Sequence, residues 1–339
     1  MTENTPSLES ASDESVKQKP RSSRKLFAFL ILLCVVMGVI TLRVNSQRST
    51  KKWAEDLGGS VVYHIERGEK NQFLSPEEMK AKPGGFMLNV VGIDYVSAIK
   101  EINLPEAEIT DIEPLSKLSD LELVRILPNK ITTLLPLSKS NTLKRLEISD
   151  NPVSDLSPIA LNKGLRIFQL NGTDVENIDC FSDFQELVKV DLMNTKIKDL
   201  TPIKDLSNIE KLQVTNAVLL NLLPLENLTN LKRLSLAGCS LADNEEFSTA
   251  LGSISNLKIE SLDLSGTKLT DLSELSKLTK LETLKLDNST ATDITPLAKL
   301  SSLKSLTTWD SNISDEAVAQ LKAQNPSLLV ITEEPRYSR

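Results

Sequence analysis

Residues 187–208 read LVKVDLMNTKIKDLTPIKDLSN. Counted from Leu187, apolar residues stand at positions 1, 4, 6, 11, 14, 17 and 20: Leu187, Val190, Leu192, Ile197, Leu200, Ile203 and Leu206. Positions 4 and 6 are two apart, which puts both side chains on one face of a strand. Positions 14, 17 and 20 are three apart, which suits a short 3₁₀ turn. One unit is therefore a strand plus a return segment, with an apolar face too small to bury alone.

The same frame recurs at Ile99, Leu121, Leu143, Leu165, Leu187, Ile209, Leu231, Ile259, Leu281 and Leu303. The step is 22 residues, except for 28 between Leu231 and Ile259. Stacked coils bury the face that each leaves bare, so the period predicts an α/β solenoid. A curved parallel β-sheet is expected on its concave face, and 3₁₀ or short helices on its convex face. In the long unit, residues 245–251 are expected to form a true convex helix. Residues 315–323 predict a final helix and residues 328–331 a last strand.

Asp-Leu-Thr-Pro-Ile at 199–203 and Asp-Ile-Thr-Pro-Leu at 293–297 fit the pattern L-x-x-L-x-L-x-x-N/T-x-I-x-D-L-x-P-L-x-x-L. The chain thus resembles the leucine-rich-repeat family from Ile99 to about Ile331. It is most similar to the 22-residue class of internalin-like bacterial surface proteins and phosphatase-regulating repeat proteins. The resemblance specifies the fold, which hosts many different partners. In the family, Asn at position 9 bonds the loop backbone of neighbouring coils. Here that position holds Asn129 and Asn151, then Thr173, Thr195, Ala217, Cys239, Thr267, Ser289 and Ser311. Thr and Ser are expected to bridge with fewer bonds and Ala217 with none, leaving a less rigid coil there.

Position 13 carries Asp111, Asp155, Asp199, Asp243, Asp271, Asp293 and Asp315. Stacked carboxylates suit calcium. Asp before a tight turn also accepts backbone N–H bonds at the start of that turn. Capping is the expected role, with no metal and no cofactor.

Ahead of the repeats, residues 1–25 are polar and lack apolar periodicity, which predicts a disordered tail. Residues 26–42, LFAFLILLCVVMGVITL, hold 17 residues without a charge. As a helix they span roughly 26 Å at about 1.5 Å per residue, the short end of the transmembrane range. A signal peptide is the competing reading, but the run is long for one and no A-x-A site follows. Bulky Leu33 argues against a lipoprotein site at Cys34. Residues 26–44 are therefore expected to be one transmembrane anchor. Basic residues precede the run (Lys17, Lys19, Arg21, Arg24, Lys25) and follow it (Arg43, Arg48, Lys51, Lys52). The small excess in front places the tail in the cytoplasm and the solenoid on the outer side. Residues 45–95 are expected to be a linker and N-terminal cap, 96–332 the solenoid and 333–339 a tail. Within the cap, residues 49–57 predict a short helix stopped by Gly58-Gly59. Val61, Tyr63 and Ile65 alternate as in a strand, and Pro83-Gly84-Gly85 marks a turn.

Of 339 residues, 40% are apolar but only 4% aromatic, a skew that fits a repeated leucine core. The net charge of −7 and a pI near 5.1 argue against nucleic acid as a partner. The one histidine, His64, precedes the repeats, which removes His-dependent catalytic and metal sites from the solenoid. No phosphate-cradling glycine loop or CxxC pair occurs. Cys180 and Cys239 are expected to be buried structural residues, too far apart to pair.

The chain is expected to be a non-enzymatic protein-interaction module, with the concave sheet as its working surface. Strand positions 3, 5 and 7 are outward-facing there. The candidates they supply are Arg145, Glu147, Lys189, Asp191, Met193, Lys211, Gln213, Arg233, Asp263, Lys285, Asp287 and Trp309. Mixed charge favours a protein partner over a polyanion. Trp309 is either an anchor for that partner or a residue packed against the C-terminal cap. The alternative function is a regulatory or inhibitory subunit that wraps a catalytic partner.

Overall fold

The computed structural model describes residues 21–66, 74–82, 93–242 and 246–333. The expected turn at 83–85, the Asp243 rung and the tail from Pro335 lie outside the described residues, as does the front tail up to Pro20. Arg21 to Lys25 belong to a helix rather than to that tail.

The chain divides into two compact units, residues 1–45 and 46–339. The first helix, α1 (Arg21–Asp56), makes up the described part of the first unit and continues into the second. Its apolar run leaves Phe27, Phe29, Leu30, Leu33, Val36 and Leu42 exposed. Among the described residues it is the one helix long and apolar enough to cross a membrane.

The second unit is built on one sheet of 12 strands. In chain order the strands are β1 (Ser60–Tyr63), β2 (Ile99–Leu104), β3 (Leu123–Ile126), β4 (Arg145–Glu147), β5 (Ile167–Gln169), β6 (Lys189–Asp191) and β7 (Lys211–Gln213). They continue with β8 (Val218–Leu219), β9 (Arg233–Ser235), β10 (Ser240–Leu241), β11 (Ser261–Asp263), β12 (Thr283–Lys285), β13 (Ser305–Thr307) and β14 (Leu329–Ile331). β2 through β14 pair in parallel in coil order, while β8 and β10 form a small separate sheet. β1 alone runs antiparallel, on the outer edge of β2. All seven apolar residues of the 187–208 unit are at most 1% exposed. Burying each such side chain contributes roughly 1.5–3 kcal/mol, and the stack repeats that gain coil after coil.

The return segments are 3₁₀ turns such as Thr201–Ile203 and Thr295–Lys299, with Pro202 and Pro296 in the first turn, where no N–H is needed. The position-13 side chains cap them. Oδ1 of Asp111, Asp155, Asp199, Asp271 and Asp293 each accepts the N–H two residues on, at 2.7–2.8 Å. The Ser273 and Thr295 side chains, and then these N–H bonds, hold the Asp271 and Asp293 carboxyls below their ordinary pKa. Asp315 departs from the ladder. Ser314 is the cap of the final helix, and Asp315 lies in its first turn, where a negative charge suits the helix dipole.

The 28-residue unit keeps its sheet register, with Arg233 opposite Ser261. Its extra residues are absorbed on the return side. Among the described residues only Phe247–Ala250 is α-helical there, followed by a 3₁₀ turn at Leu251–Ile254, so from Glu246 onward the convex helix is shorter than expected, and residue 245 lies outside the described residues. The final helix, Asp315–Gln324, leads into β14.

The cap also departs from expectation. The segment 49–57 is no separate helix but the end of α1. Its stop is where Gly58-Gly59 predicts: Gly58 has φ +77°, and a Cβ on Gly59 would lie 2.6 Å from the Asn103 carbonyl. Gln47, buried, seals this end onto the first coil. Its Nε2 donates to the Asp94 and Ser97 carbonyls, and its Oε1 accepts from the Ile99 N–H. Thr50 donates to the Pro114 carbonyl (3.0 Å), and Ala54 is fully buried. β1 ends at Tyr63, which bonds Asp94. His64 begins a 3₁₀ turn and is exposed.

Position 9 behaves more sharply than expected. Asn129 takes N–H bonds from Ala107 and Ile109 of the preceding coil and donates to the Pro105 and Leu127 carbonyls. Asn151 likewise accepts from Ile131 and donates to Leu127, Ile148 and Ser149. Thr173, Thr195, Thr267 and Ser311 donate only to a carbonyl three residues back in their own coil, so they bridge nothing. At Ala217 the backbone compensates. β8 pairs with β10, and the Ala217 carbonyl accepts the Ser240 N–H at 3.0 Å.

Position 8, which the sequence reading passed over, is a second constant. Asp150, Gly172, Asn194, Asn216, Gly238, Gly266, Asn288 and Asp310 all have φ between +52° and +69°. Only Gly, Asn and Asp enter that region readily.

Candidate binding surface

Positions 3, 5 and 7 form rows across the open face of the sheet. The position-3 row runs Arg145, Ile167, Lys189, Lys211, Arg233, Ser261. The position-5 row beside it runs Glu147, Gln169, Asp191, Gln213, Ser235, Asp263, Lys285. Paired strands lie about 4.8 Å apart, so neighbours in a row interact directly.

The structure brings Arg145, Lys189, Asp191, Lys211, Gln213 and Arg233 around one hollow of ≈ 220 Å³, together with Ile167, Gln169 and Val190. Ile167 and Gln169 obey the same position rule as the others and were readable from it. Met193 lies just past β6, and its sulfur accepts from Gln213 Nε2 at 3.4 Å. Asp263 on β11, Lys285 on β12, and Asp287 and Trp309 just past β12 and β13 do not line the hollow. Trp309 is half-buried, and its backbone N–H donates to Asp287 Oδ1 at 3.1 Å.

Three candidates expected to face outward are buried: Glu147, Asp191 and Asp287. Their coil neighbours cover them. Glu147 is gripped by Arg125 from the preceding strand and by Arg145 from its own. That contact raises the Arg125 pKa. Asp287 accepts from the Thr307 hydroxyl (2.8 Å) as well as from Trp309. Asp191 accepts one bond, from the Met193 N–H (3.1 Å). Burial raises the Asp191 carboxyl, against the pull of that bond and of Lys211. Burial raises Asp287 too.

Outside the rows, Cys239 is buried, and its thiol is pushed up to about 11 by burial. Cys180 is only half-buried, in the place in the turn that other coils give to a half-buried or buried proline. Among the described residues no group of acids, cysteines or histidines is arranged to hold a metal ion.

Residues 257–299 match the family described as Leucine Rich repeats (2 copies). The structure is similar to that of an internalin (inlF) from Listeria monocytogenes, with a TM-score of 0.55 at 20% identity over 81% of this chain and 87% of that one. The fold is that of leucine-rich-repeat proteins. A leucine-rich-repeat protein of Leptospira interrogans is also similar (TM-score 0.50, 17% identity, 68% and 71% of the two chains). So is the plant peptide hormone receptor RGFR1 in complex with RGF2 (TM-score 0.51, 20% identity, 66% and 41%). No curated protein matches the chain in sequence. The internalin-like solenoid therefore fixes the architecture, and what the open face binds has to come from its own side chains.

Proposed function

We propose that the protein is a membrane-anchored, non-enzymatic interaction module that holds a protein partner on the open, concave face of its leucine-rich-repeat sheet. The observation that carries this reading is the hollow on that face, where charged and amide side chains from five strands, β4 to β7 and β9, converge. A similar fold takes RGF2 in the plant peptide hormone receptor. The single histidine lies outside the repeats, which supports binding without catalysis.

The anchor is the apolar part of α1, and the solenoid acts on the outer side of that membrane. Exposed Phe27, Leu30, Leu33 and Val36 suit a lipid environment. A reporter fused after Arg339 and active only in the cytoplasm reverses this orientation.

The binding reading is tested by crosslinking in intact membranes, followed by identification of captured proteins. Capture by the wild type should fall sharply with Trp309→Ala or Lys211→Glu and persist with Lys204→Glu on the return side. Unchanged capture in the first two variants moves the site off the sheet.

A further inference from the structure

We propose that Lys189, Lys211 and Arg233, with Arg145 beside them, form a site for the carboxylates of an acidic segment in the protein partner. This rests on the open sheet face being the binding surface, and it names the chemistry that face selects.

The three cations stand directly opposite one another on consecutive strands, Lys189 against Lys211 and Lys211 against Arg233. Like charges so placed repel. Lys189 and Arg233 are exposed and Lys211 is half-buried. Among the described residues no carboxylate forms an ion pair with any of the three.

The rest of the sheet is built differently. Lys285 meets Asp263 at 3.5 Å, and Arg125 and Arg145 share Glu147. One position before the cation row, several carboxylates meet a lysine of a neighbouring coil: Lys100 and Lys144 on Glu122, Lys232 on Glu210, Lys304 on Glu282. These charges find partners in a neighbouring coil, whereas among the described residues Lys189, Lys211 and Arg233 make no ion pair over three coils in succession. Asp191, in the row beside it, reaches the same hollow and attracts Lys211, but it is buried and forms no ion pair with the row. An anion from outside removes the repulsion.

The surroundings favour a peptide over a uniform polyanion. Gln169 and Gln213 flank the cations in the next row, and a side-chain amide both donates to and accepts from a peptide main chain. Ile167 interrupts the row with apolar surface. Alternate side chains of an extended peptide recur about every 6.8 Å on one face, within reach of flexible cations anchored about 4.8 Å apart.

The test uses the full chain in lipid nanodiscs and a fluorescein-labelled octaglutamate peptide, read by anisotropy at low salt. Octaglutamate should bind and octaglutamine should not. K189E/K211E/R233E should weaken binding by about tenfold or more, since it reverses all three contacts. The charge-matched control K204E/K268E/K322E, with all three lysines exposed elsewhere, should change it less than about twofold. The proposal is overturned by absence of octaglutamate binding, by equal losses in the two triple variants, or by polyphosphate of about eight units competing better than unlabelled octaglutamate. If octaglutamate fails while partner capture still depends on Trp309, the acidic-segment site falls and the open-face reading stands. If capture is indifferent to both Trp309 and Lys211, the open-face reading itself falls.

Discussion

The coils that begin at Leu121 and Leu143 and those that begin at Leu187 and Ile209 share one apolar skeleton but differ at position 9 and in the charges of their sheet rows. In the early pair, Asn129 and Asn151 bond the neighbouring coil, and Glu147 joins Arg125 to Arg145. In the central pair, Thr195 bonds only its own coil and Ala217 bonds with its main chain alone. Lys189 and Lys211 stand opposite each other and, among the described residues, neither forms an ion pair. In a solenoid every surface residue has a neighbour one period away, so whether that neighbour matches it is a local choice. Matched coils tie the stack together. Unmatched coils leave interactions open to a partner.

Four predictions press on this contrast, from the largest effect to the smallest. The Phe168, Phe181 and Phe184 rings, with centroids 5.4–6.4 Å apart and fully buried, fill the core between the two regions. Phe168→Ala should cost about 3–5 kcal/mol in denaturant unfolding, because no small side chain can refill that space. A loss below about 1 kcal/mol would mean that the two regions are not joined through this core.

Next, Asn151→Ala should cost about 2–3 kcal/mol, since it strands backbone groups of two coils, and Thr195→Ala only about 1 kcal/mol. Equal losses would break the comparison. Third, Glu147→Gln should lower stability by about 1–3 kcal/mol by leaving two guanidinium groups without a carboxylate. Lys211→Gln should stay within about 0.5 kcal/mol of wild type while weakening partner binding. If Lys211→Gln is as destabilising as Glu147→Gln, the central row is structural.

The smallest effect concerns Asp191. Its folded pKa is raised by burial, so the folded state binds its proton more tightly than the unfolded state does. Wild-type stability should therefore fall, relative to Asp191→Asn, as pH rises from the ordinary Asp value of about 3.9 through the raised one. Below that window the two proteins should converge. Parallel melting profiles across the window would show that the carboxyl carries no burial cost.

The fold was legible because its signal is repeated. The 22-residue step and the seven apolar positions of 187–208 map directly onto strand, turn and core. Capping by Asp199 and its equivalents was legible too, because the bond spans two residues. The continuity of α1 was not. Residues 43–56 have no uniform hydropathy, and what holds them is tertiary: Gln47 and Thr50 bond backbone that lies far along the chain. Position 8 was legible in principle from its alphabet of Asp, Asn and Gly. On the sheet face, position numbers placed the candidates on their strands or, for Met193, Asp287 and Trp309, just past them, but could not tell exposed from covered. Burial of Glu147 and Asp287 is decided by Arg125 and Thr307 in the neighbouring coils. For the same reason the missing counter-charges of Lys189, Lys211 and Arg233 emerge only once the rows are aligned.

The claim that the partner lies on the open sheet face is tested most directly by a photoactivatable amino acid placed in cells at two sites of one coil. Gln213 lies on the open face. Leu223 is 60% exposed on the return side. The account predicts a protein adduct from Gln213 that acidic peptide suppresses, and none from Leu223. An adduct from Leu223 with none from Gln213 contradicts it.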